Sequence, residues 1–347
     1  MRVLVTGAGG QLGHDLVDAF SGAVPLGGLR GDIATGRLGA RLECEVIGVD
    51  HRGLDVSDRD AVLAAVEGVR PDVVVHAGAW TAVDACESDP DRAFATNSLG
   101  TRNVAEAARR FGSHVVYVSS DYVFDGKITR PYHEWDEPCP VSVYGRSKLG
   151  GERELDPGAT IVRTSWVCGA HGANMVHTVL RLASAGETLR FVDDQRGSPT
   201  FTADLAGTIC TLATERLPGT FHVTNQGATT WHGLAAAVLI ASGDDPSRLE
   251  PISTAEQTPP RPAPRPANSV LDNAALRLAG MPLLPDWHDG LERLVEALGE
   301  MSDVAPAVSR VSLQSTGKEP GRSASPGASA THGVRSGGAA AVLEEAW

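Results

Sequence analysis

Three features of the chain predict an α/β fold: a Rossmann-type doubly wound parallel sheet, a smaller C-terminal substrate-binding lobe and a disordered C-terminal tail. The short β-branched run Arg2–Thr6 ends at a glycine turn, Gly7-Ala8-Gly9-Gly10-Gln11-Leu12-Gly13, and passes directly into helical periodicity. Continuous apolar strands then alternate with helices as far as Ser165, the pattern of a parallel sheet covered on both faces. After Ser165 the rhythm changes, and from about Ser302 Ser, Gly, Ala and Pro dominate. The expected domains are therefore 1–165 for the dinucleotide, 166–301 for the substrate and 302–347 for the tail.

The elements follow in order. Helical periodicity runs from Leu12 to Phe20, and 21–42 is glycine-rich with few large apolar residues, which predicts a flexible insertion. The second strand is expected at Val46–Val49, ending at Asp50. Ser57-Asp58-Arg59-Asp60 has a capping-box pattern that opens a helix to about Gly68. Val73–His76 reads as a buried strand, Asp91–Phe111 as one helix, and Val115–Ser119 as an apolar strand with a polar tip. A helix from Tyr144 to about Leu155 and a strand at Thr160–Thr164 complete the alternation. Beyond it, helices are expected at Met175–Ala185, Asp204–Thr214, Trp231–Ala241 and Trp287–Leu298, and a strand at Thr220–Thr224. Thr258–Ala267 holds five prolines and two arginines and must be extended.

Bulk properties narrow the function classes. A formal charge of −13 argues against nucleic-acid or anionic-membrane surfaces, which need basic patches. The five cysteines (Cys44, Cys86, Cys139, Cys168, Cys210) are scattered without a C-x-x-C pair, so neither a disulfide framework nor a zinc site is expected. Reduced cysteines, no apolar run of about 18 residues and no signal-like N-terminus suggest a cytoplasmic chain with no membrane contact.

Two separated motifs carry the chemistry. In the glycine turn, Gly7 permits the strand-to-helix turn, Gly10 lets backbone amides approach phosphate, and Gly13 lets the helix pack closely on the sheet. Asp50, at the end of the second strand, is placed to bind an adenosine ribose diol. It would repel a 2′-phosphate, and His51 and Arg52 would offset that; the plain alternative is a solvated turn. Downstream, Tyr144-Gly145-Arg146-Ser147-Lys148 sets a phenol and an ammonium at i and i+4, on one helix face. An ammonium that stabilises the phenolate makes tyrosine a usable proton donor beside a hydride acceptor, and Lys148 also reaches the nicotinamide ribose. Ser120, at a parallel strand tip, is where a group orienting the substrate oxygen would sit. Tyr-x-x-x-Lys is also a common helix start, and its place after a Ser-Ser-Asp strand tip argues for the catalytic role. Asp84, Glu87, Asp89 and Asp91 read as a solvated helix approach, His76 as a core histidine, and Cys86 and Cys168 as inert. Arg261 and Arg265 in the proline-stiffened stretch could match a phosphate bidentately, Arg265 above all, or else belong to a solvated linker.

With these residues in view, the chain resembles the extended short-chain dehydrogenases and, more narrowly, the dTDP-4-dehydrorhamnose reductase family. The resemblance lies in Val5–Gly13, Pro71–Asp84, Ser119-Ser120-Asp121-Tyr122-Val123-Phe124-Asp125-Gly126, Val143–Leu149 and Arg163-Thr164-Ser165-Trp166-Val167, with Asp194-Gln195, Gly197, Pro199-Thr200 and Arg265-Pro266. It covers about 1–300 and is interrupted at 21–42; His76-Ala77-Gly78-Ala79 stands where the family usually has Asn-Ala-Ala-Ala. The resemblance implies NADPH or NADH held by Gly10, Gln11, Leu12, Asp50, Asp55, Val56, Ala79, Trp80, Thr81, Tyr144 and Lys148. It implies a sugar contacted by Ser120 and Asp121, with Trp166 packed on it. It implies magnesium at Asp15 and Asp204, which read more simply as solvated helix residues. The implied activity is reduction of the 4-keto group of dTDP-4-dehydro-L-rhamnose to dTDP-L-rhamnose, by a monomer or homodimer. The alternatives are a reductase or epimerase of another nucleotide deoxysugar, or a non-catalytic subunit like the partner of methionine adenosyltransferase.

Overall fold

The structure is a computed structural model that describes residues 1–22, 44–186 and 188–311. Its centre is a six-stranded sheet of β1 (Arg2–Thr6), β2 (Glu45–Val49), β3 (Val73–His76), β4 (His114–Ser120), β5 (Thr160–Thr164) and a late strand (Gly219–His222). The spatial order is β2-β1-β3-β4-β5 and then the late strand, and every pairing is parallel. The order reverses between β1 and β3, the place where doubly wound sheets bind ligands at their strand ends.

Alternate residues of the strands feed two cores. Val3, Val5, Val73, Val75 and Val116 pack against Leu12, Leu16 and Phe20 of α1 (Gln11–Ser21) and against Leu205, Ile209 and Leu212 of a later helix. Leu4, Val74 and Val115 face the other way, onto Val62 and Val66 of α2 (Arg59–Val69) and Val104, Ala107 and Ala108 farther on. The cap of α2 is Asp58, which accepts from the amides of Asp60 and Ala61, so the helix opens one residue after the position expected from Ser57.

The expected single helix over Asp91–Phe111 is interrupted. After α3 (Val83–Ser88), α4 (Pro90–Phe94) runs through a π-helical turn at Ala95–Leu99 into α5 (Gly100–Phe111). A π turn keeps the apolar rhythm nearly intact, so periodicity alone does not betray it. Next comes α6 (Val143–Glu152), which stops short of the expected Leu155.

After β5 the chain builds β6 (Val167–Cys168), α7 (Met175–Ser184), β7 (Leu189–Val192), β8 (Arg196–Gly197) and β9 (Thr200–Phe201). It then returns to the sheet through α8 (Thr202–Thr214) and β10 (Gly219–His222), the late helix and strand already met. The remaining elements are β11 (Thr229–Thr230), α9 (Trp231–Ala241), β12 (Leu249–Ile252), α10 (Ala274–Leu278) and α11 (Trp287–Val311). Met175, Val179, Phe191, Leu234, Val238, Trp287 and Leu291 form a third core, apart from the two on the sheet faces. Thus the segment after Ser165 supplies both a separate core and one edge of the main sheet. The backbone of 258–267 is non-helical as expected but bends repeatedly rather than running extended, and α11 continues to Val311, past Ser302. The insertion expected at 21–42, except Ser21 and Gly22, and the tail beyond Val311 lie outside the described residues.

Leu205 is fully buried between α8 and the sheet. Leu205→Ala should cost about 2–5 kcal/mol in chemical denaturation. A loss below about 1 kcal/mol would mean that α8 does not pack on the sheet as described.

Candidate active site

The glycine turn forms a cradle at the end of β1. Gly7 has φ 74°, and a Cβ there would lie 2.7 Å from Gly78 Cα. A Cβ on Gly13 would lie 2.1 Å from the Gly7 carbonyl, so only glycine lets α1 start this close to the turn. The N-cap of α1, Gly10, brings no side-chain hydrogen bond, leaving the first amides of the helix for an anion. These residues fit a dinucleotide pyrophosphate. Leu12 is buried in the sheet core, so its contribution there is its backbone amide. Gln11 is tied to the lobe: its Nε2 donates to the Ala173 carbonyl at 2.8 Å, and its Oε1 accepts from Asn174 Nδ2 at 2.9 Å.

The expected cofactor contacts line the neighbouring strand ends. Asp50 borders the turn, since a Cβ on Gly9 would come within 3.1 Å of its own Cβ. The Gly53 and Arg52 amides, each 3.0 Å from Asp50 Oδ1, hold its carboxyl below the usual range. Asp55 Oδ1 accepts from the amide and hydroxyl of Ser57, and Val56 is buried with its carbonyl held by Asn103 Nδ2 at 3.0 Å. The Ala79-Trp80-Thr81 loop is fixed by Asn97: Trp80 N donates to Asn97 Oδ1 at 2.8 Å, and Asn97 Nδ2 donates to the Trp80 carbonyl and to Ser147 Oγ. Asn97 was not singled out from the sequence, where nothing marks it; it is 1% exposed, and the π turn presents it.

Tyr144 and Lys148 project from the first turns of α6, whose cap Ser142 accepts from the Gly145 amide at 3.1 Å. The Tyr144 side chain lies beside that of Ser120, and its ring meets Tyr122 edge-on at 5.7 Å. Burial pushes the Tyr144 phenol above its ordinary range, so the protonated form, the one a reduction uses, is present at neutral pH. The sequence reading expected Lys148 to offset this, but its Nζ donates to the Val118 carbonyl at 2.7 Å and lies 4.2 Å over the Tyr117 ring. Burial lowers the Lys148 pKa to about 7, with Glu152 opposing. Ser120 Oγ accepts from the Tyr122 amide at 3.2 Å and donates to Asp121 Oδ1 at 3.0 Å. Asp121 is held by Ser165 Oγ at 2.9 Å, and burial raises its pKa to about 6. His76 is the core histidine expected: Nδ1 meets Thr6 Oγ1 at 2.7 Å, and burial first, then Lys148, lowers its pKa to about 3. Burial raises the thiols of Cys86 and Cys168 to about 11 and about 12, in keeping with inert side chains.

Other expectations change on the substrate side. Asp84 is not a solvated approach residue. It takes Arg261 Nη1 at 3.0 Å, Arg265 Nη2 at 2.9 Å and the Ala263 amide at 3.0 Å. Burial raises its pKa, but these donors outweigh burial and hold it low. Arg265, with its side chain 9% exposed, also lies beside Tyr122, so the proline-rich stretch is held down on the protein rather than being a free linker. Trp166 adopts φ 46°, in the left-handed region, and stacks on Trp231 with 3.4 Å between ring centroids. Gly197 presses on the same indole, leaving Trp166 8% exposed, a wall of the lobe core more than an open platform.

Magnesium at Asp15 and Asp204 does not fit the residues present. Both Asp204 oxygens face Arg293 Nη2 and one also takes Asn225 Nδ2, while Asp15 is bonded to Thr202. An Arg-paired carboxylate is already neutralised, and among the described residues no three acidic, His or Cys groups converge as a metal site.

Known proteins match this architecture. The family model described as "RmlD substrate binding domain" matches residues 1–300. A dTDP-4-dehydrorhamnose reductase of Streptomyces griseus is 41% identical over 306 residues, covering 86% of this chain and 94% of that protein. A dTDP-4-keto-6-deoxy-D-glucose reductase of Streptomyces niveus is 36% identical over 294 residues, covering 84% and 95%. Among solved structures, dTDP-4-dehydrorhamnose reductase of Bacillus anthracis in complex with NADP superposes with a TM-score of 0.75 at 36% identity, covering 84% of this chain and 98% of that one.

Asp84→Ala should release the segment carrying Arg261 and Arg265. The expected result is a stability loss of up to about 3 kcal/mol, with faster proteolysis confined to that segment. Unchanged protection there would show that the prolines alone hold it in place.

Proposed function

The chain belongs to the RmlD substrate binding domain family, and from that premise we propose that it uses NADPH to reduce the 4-keto group of dTDP-4-dehydro-L-rhamnose, giving dTDP-L-rhamnose. The observation that carries the reading is the convergence of buried Tyr144, Ser120 and Lys148 at the end of β4. The cofactor supplies the hydride. Tyr144, held protonated by burial, donates the proton to the keto oxygen, and Ser120 orients that oxygen from the strand tip. Lys148 offers a buried cation to the nicotinamide ribose and to the phenolate left after proton transfer.

The NADP bound in the Bacillus anthracis relative supports NADPH. The Asp50 carboxylate, turned onto the Arg52 and Gly53 amides, leaves His51 and Arg52 to face a 2′-phosphate. Residues 1–165, with α8 and β10, serve the cofactor. The rest of 166–301 serves the sugar nucleotide, with Asp121 and Trp166 near the sugar and the Arg261–Arg265 strap near the diphosphate. A second reading, reduction of another dTDP-4-keto-6-deoxyhexose, is favoured by the Streptomyces niveus relative. A non-catalytic partner role has no use for the intact Ser120/Tyr144/Lys148 set.

NADPH consumption with dTDP-4-dehydro-L-rhamnose is the test, set beside a panel of dTDP-4-keto sugars. Turnover is expected in the parent, and Tyr144→Phe should lower it about 10²–10⁴-fold with an unchanged circular dichroism spectrum. No turnover with any of these sugars would overturn the proposal.

A further inference from the structure

Tyr144 is the second residue of α6, in a turn that its own sequence does little to hold. Three of the ten residues of this helix are glycines, Gly145, Gly150 and Gly151, and glycine is the weakest helix former after proline. Close approach imposes two of them. A Cβ on Gly145 would lie 2.1 Å from the Tyr122 carbonyl oxygen, and one on Gly151 would lie 2.6 Å from that of Asn97. A stronger helix former cannot take these places, so the first turn depends on groups that satisfy its free amides.

Two side chains do so. Ser142 is the local cap, on the Gly145 amide. The amide of Val143, directly before Tyr144, donates instead to Glu87 Oε1 at 2.7 Å, a residue of α3 that lies 56 positions earlier. Glu87 is half-buried, not the solvated residue expected from its acidic run. A carboxylate also suits the positive end of the α6 dipole. The rest of α3 packs on the same turn: Val83 and Cys86 share a buried cluster with Val143, Tyr144 and the strap residue Ala263. Asp84, three residues before Glu87, holds that strap. Lys148, one turn farther along α6, has a separate anchor on the Val118 carbonyl.

We propose that Glu87 is a positioning residue for the reduction: by holding the Val143 amide it fixes the first turn of α6 and so aims the Tyr144 phenol. Its kinetic consequence rests on the reductase reading, whereas the order of the turn is read without turnover. The contact needs an oxygen acceptor, which glutamine keeps and alanine lacks. Proton transfer is sensitive to placement, and a displacement of about 1 Å costs about 10²-fold. NADPH binding leans on the glycine turn and on the Trp80 loop held by Asn97, neither of which Glu87 supports by a hydrogen bond.

The experiment compares Glu87→Ala and Glu87→Gln with the parent, each as the full chain. Three quantities are read: kcat with NADPH and dTDP-4-dehydro-L-rhamnose, NADPH affinity by fluorescence titration, and hydrogen exchange of the peptide spanning 142–148. Glu87→Ala should lower kcat roughly 10–100-fold, leave NADPH affinity unchanged and speed exchange in that peptide. Glu87→Gln should restore most of the rate and of the protection. A folded Glu87→Ala protein with parental kcat would overturn the proposal, as would a Glu87→Gln protein as slow as Glu87→Ala. NADPH affinity that falls in step with kcat would overturn it too, because the contact would then hold the whole site rather than the tyrosine. A Glu87→Ala chain that does not fold has the same meaning, since the contact would be a condition of the fold. If the reductase reading fails instead, parent and variants alike leave the keto sugar untouched while exchange at 142–148 still separates them.

Discussion

Lys148 is an ammonium-bearing side chain 2% exposed to solvent, and much of the molecule is organised around that one costly placement. The Val118 carbonyl accepts from it, one residue past the last pair between β3 and β4, His76 with Tyr117. The Tyr117 ring gives its face. The same burial that loosens the lysine's proton tightens the tyrosine's, so Tyr144 keeps the proton a reduction uses while Lys148 holds its charge against burial.

The sheet and the lobe after Ser165 are joined by polar ties between residues far apart in sequence. Gln11, at the start of α1, is bonded to Ala173 and Asn174 in the lobe. Asp84 gathers Arg261, Ala263 and Arg265 from the proline-rich strap, and Arg293 reaches Asp204 on α8. Each tie satisfies a charge or an amide that burial would otherwise penalise. The strap arginines thereby stand beside Tyr122, whose ring also meets Tyr144.

What the sequence made legible was local. The glycine turn, the Tyr144/Lys148 spacing, the strand ending at Ser120 and the helix Trp231–Ala241 are each set by a few adjacent residues, and each stands where the pattern put it. The six-strand sheet was legible as a parallel sheet, but not the return of Gly219–His222 to its edge, since no local signal says which partner a strand will choose. Asn97 was hidden because a π turn leaves the helical rhythm nearly unchanged. Asp84 was misread because an acidic cluster looks solvated until its arginines, about 180 residues away, are placed. The magnesium expectation failed for the same reason: Arg293 neutralises Asp204 from a distant helix.

The central claim, that this buried Tyr144–Lys148–Ser120 arrangement delivers hydride from nicotinamide to a sugar carbonyl, is tested most directly by isotope transfer. A single turnover with NADPH carrying deuterium on the transferred position of nicotinamide C4 is quenched, and the sugar nucleotide is examined by mass spectrometry and proton NMR. One deuterium bound to C4 of the hexose is the expected result, with solvent hydrogen on the new hydroxyl alone. Solvent hydrogen on C4, or deuterium retained by the cofactor while the sugar changes, would contradict it.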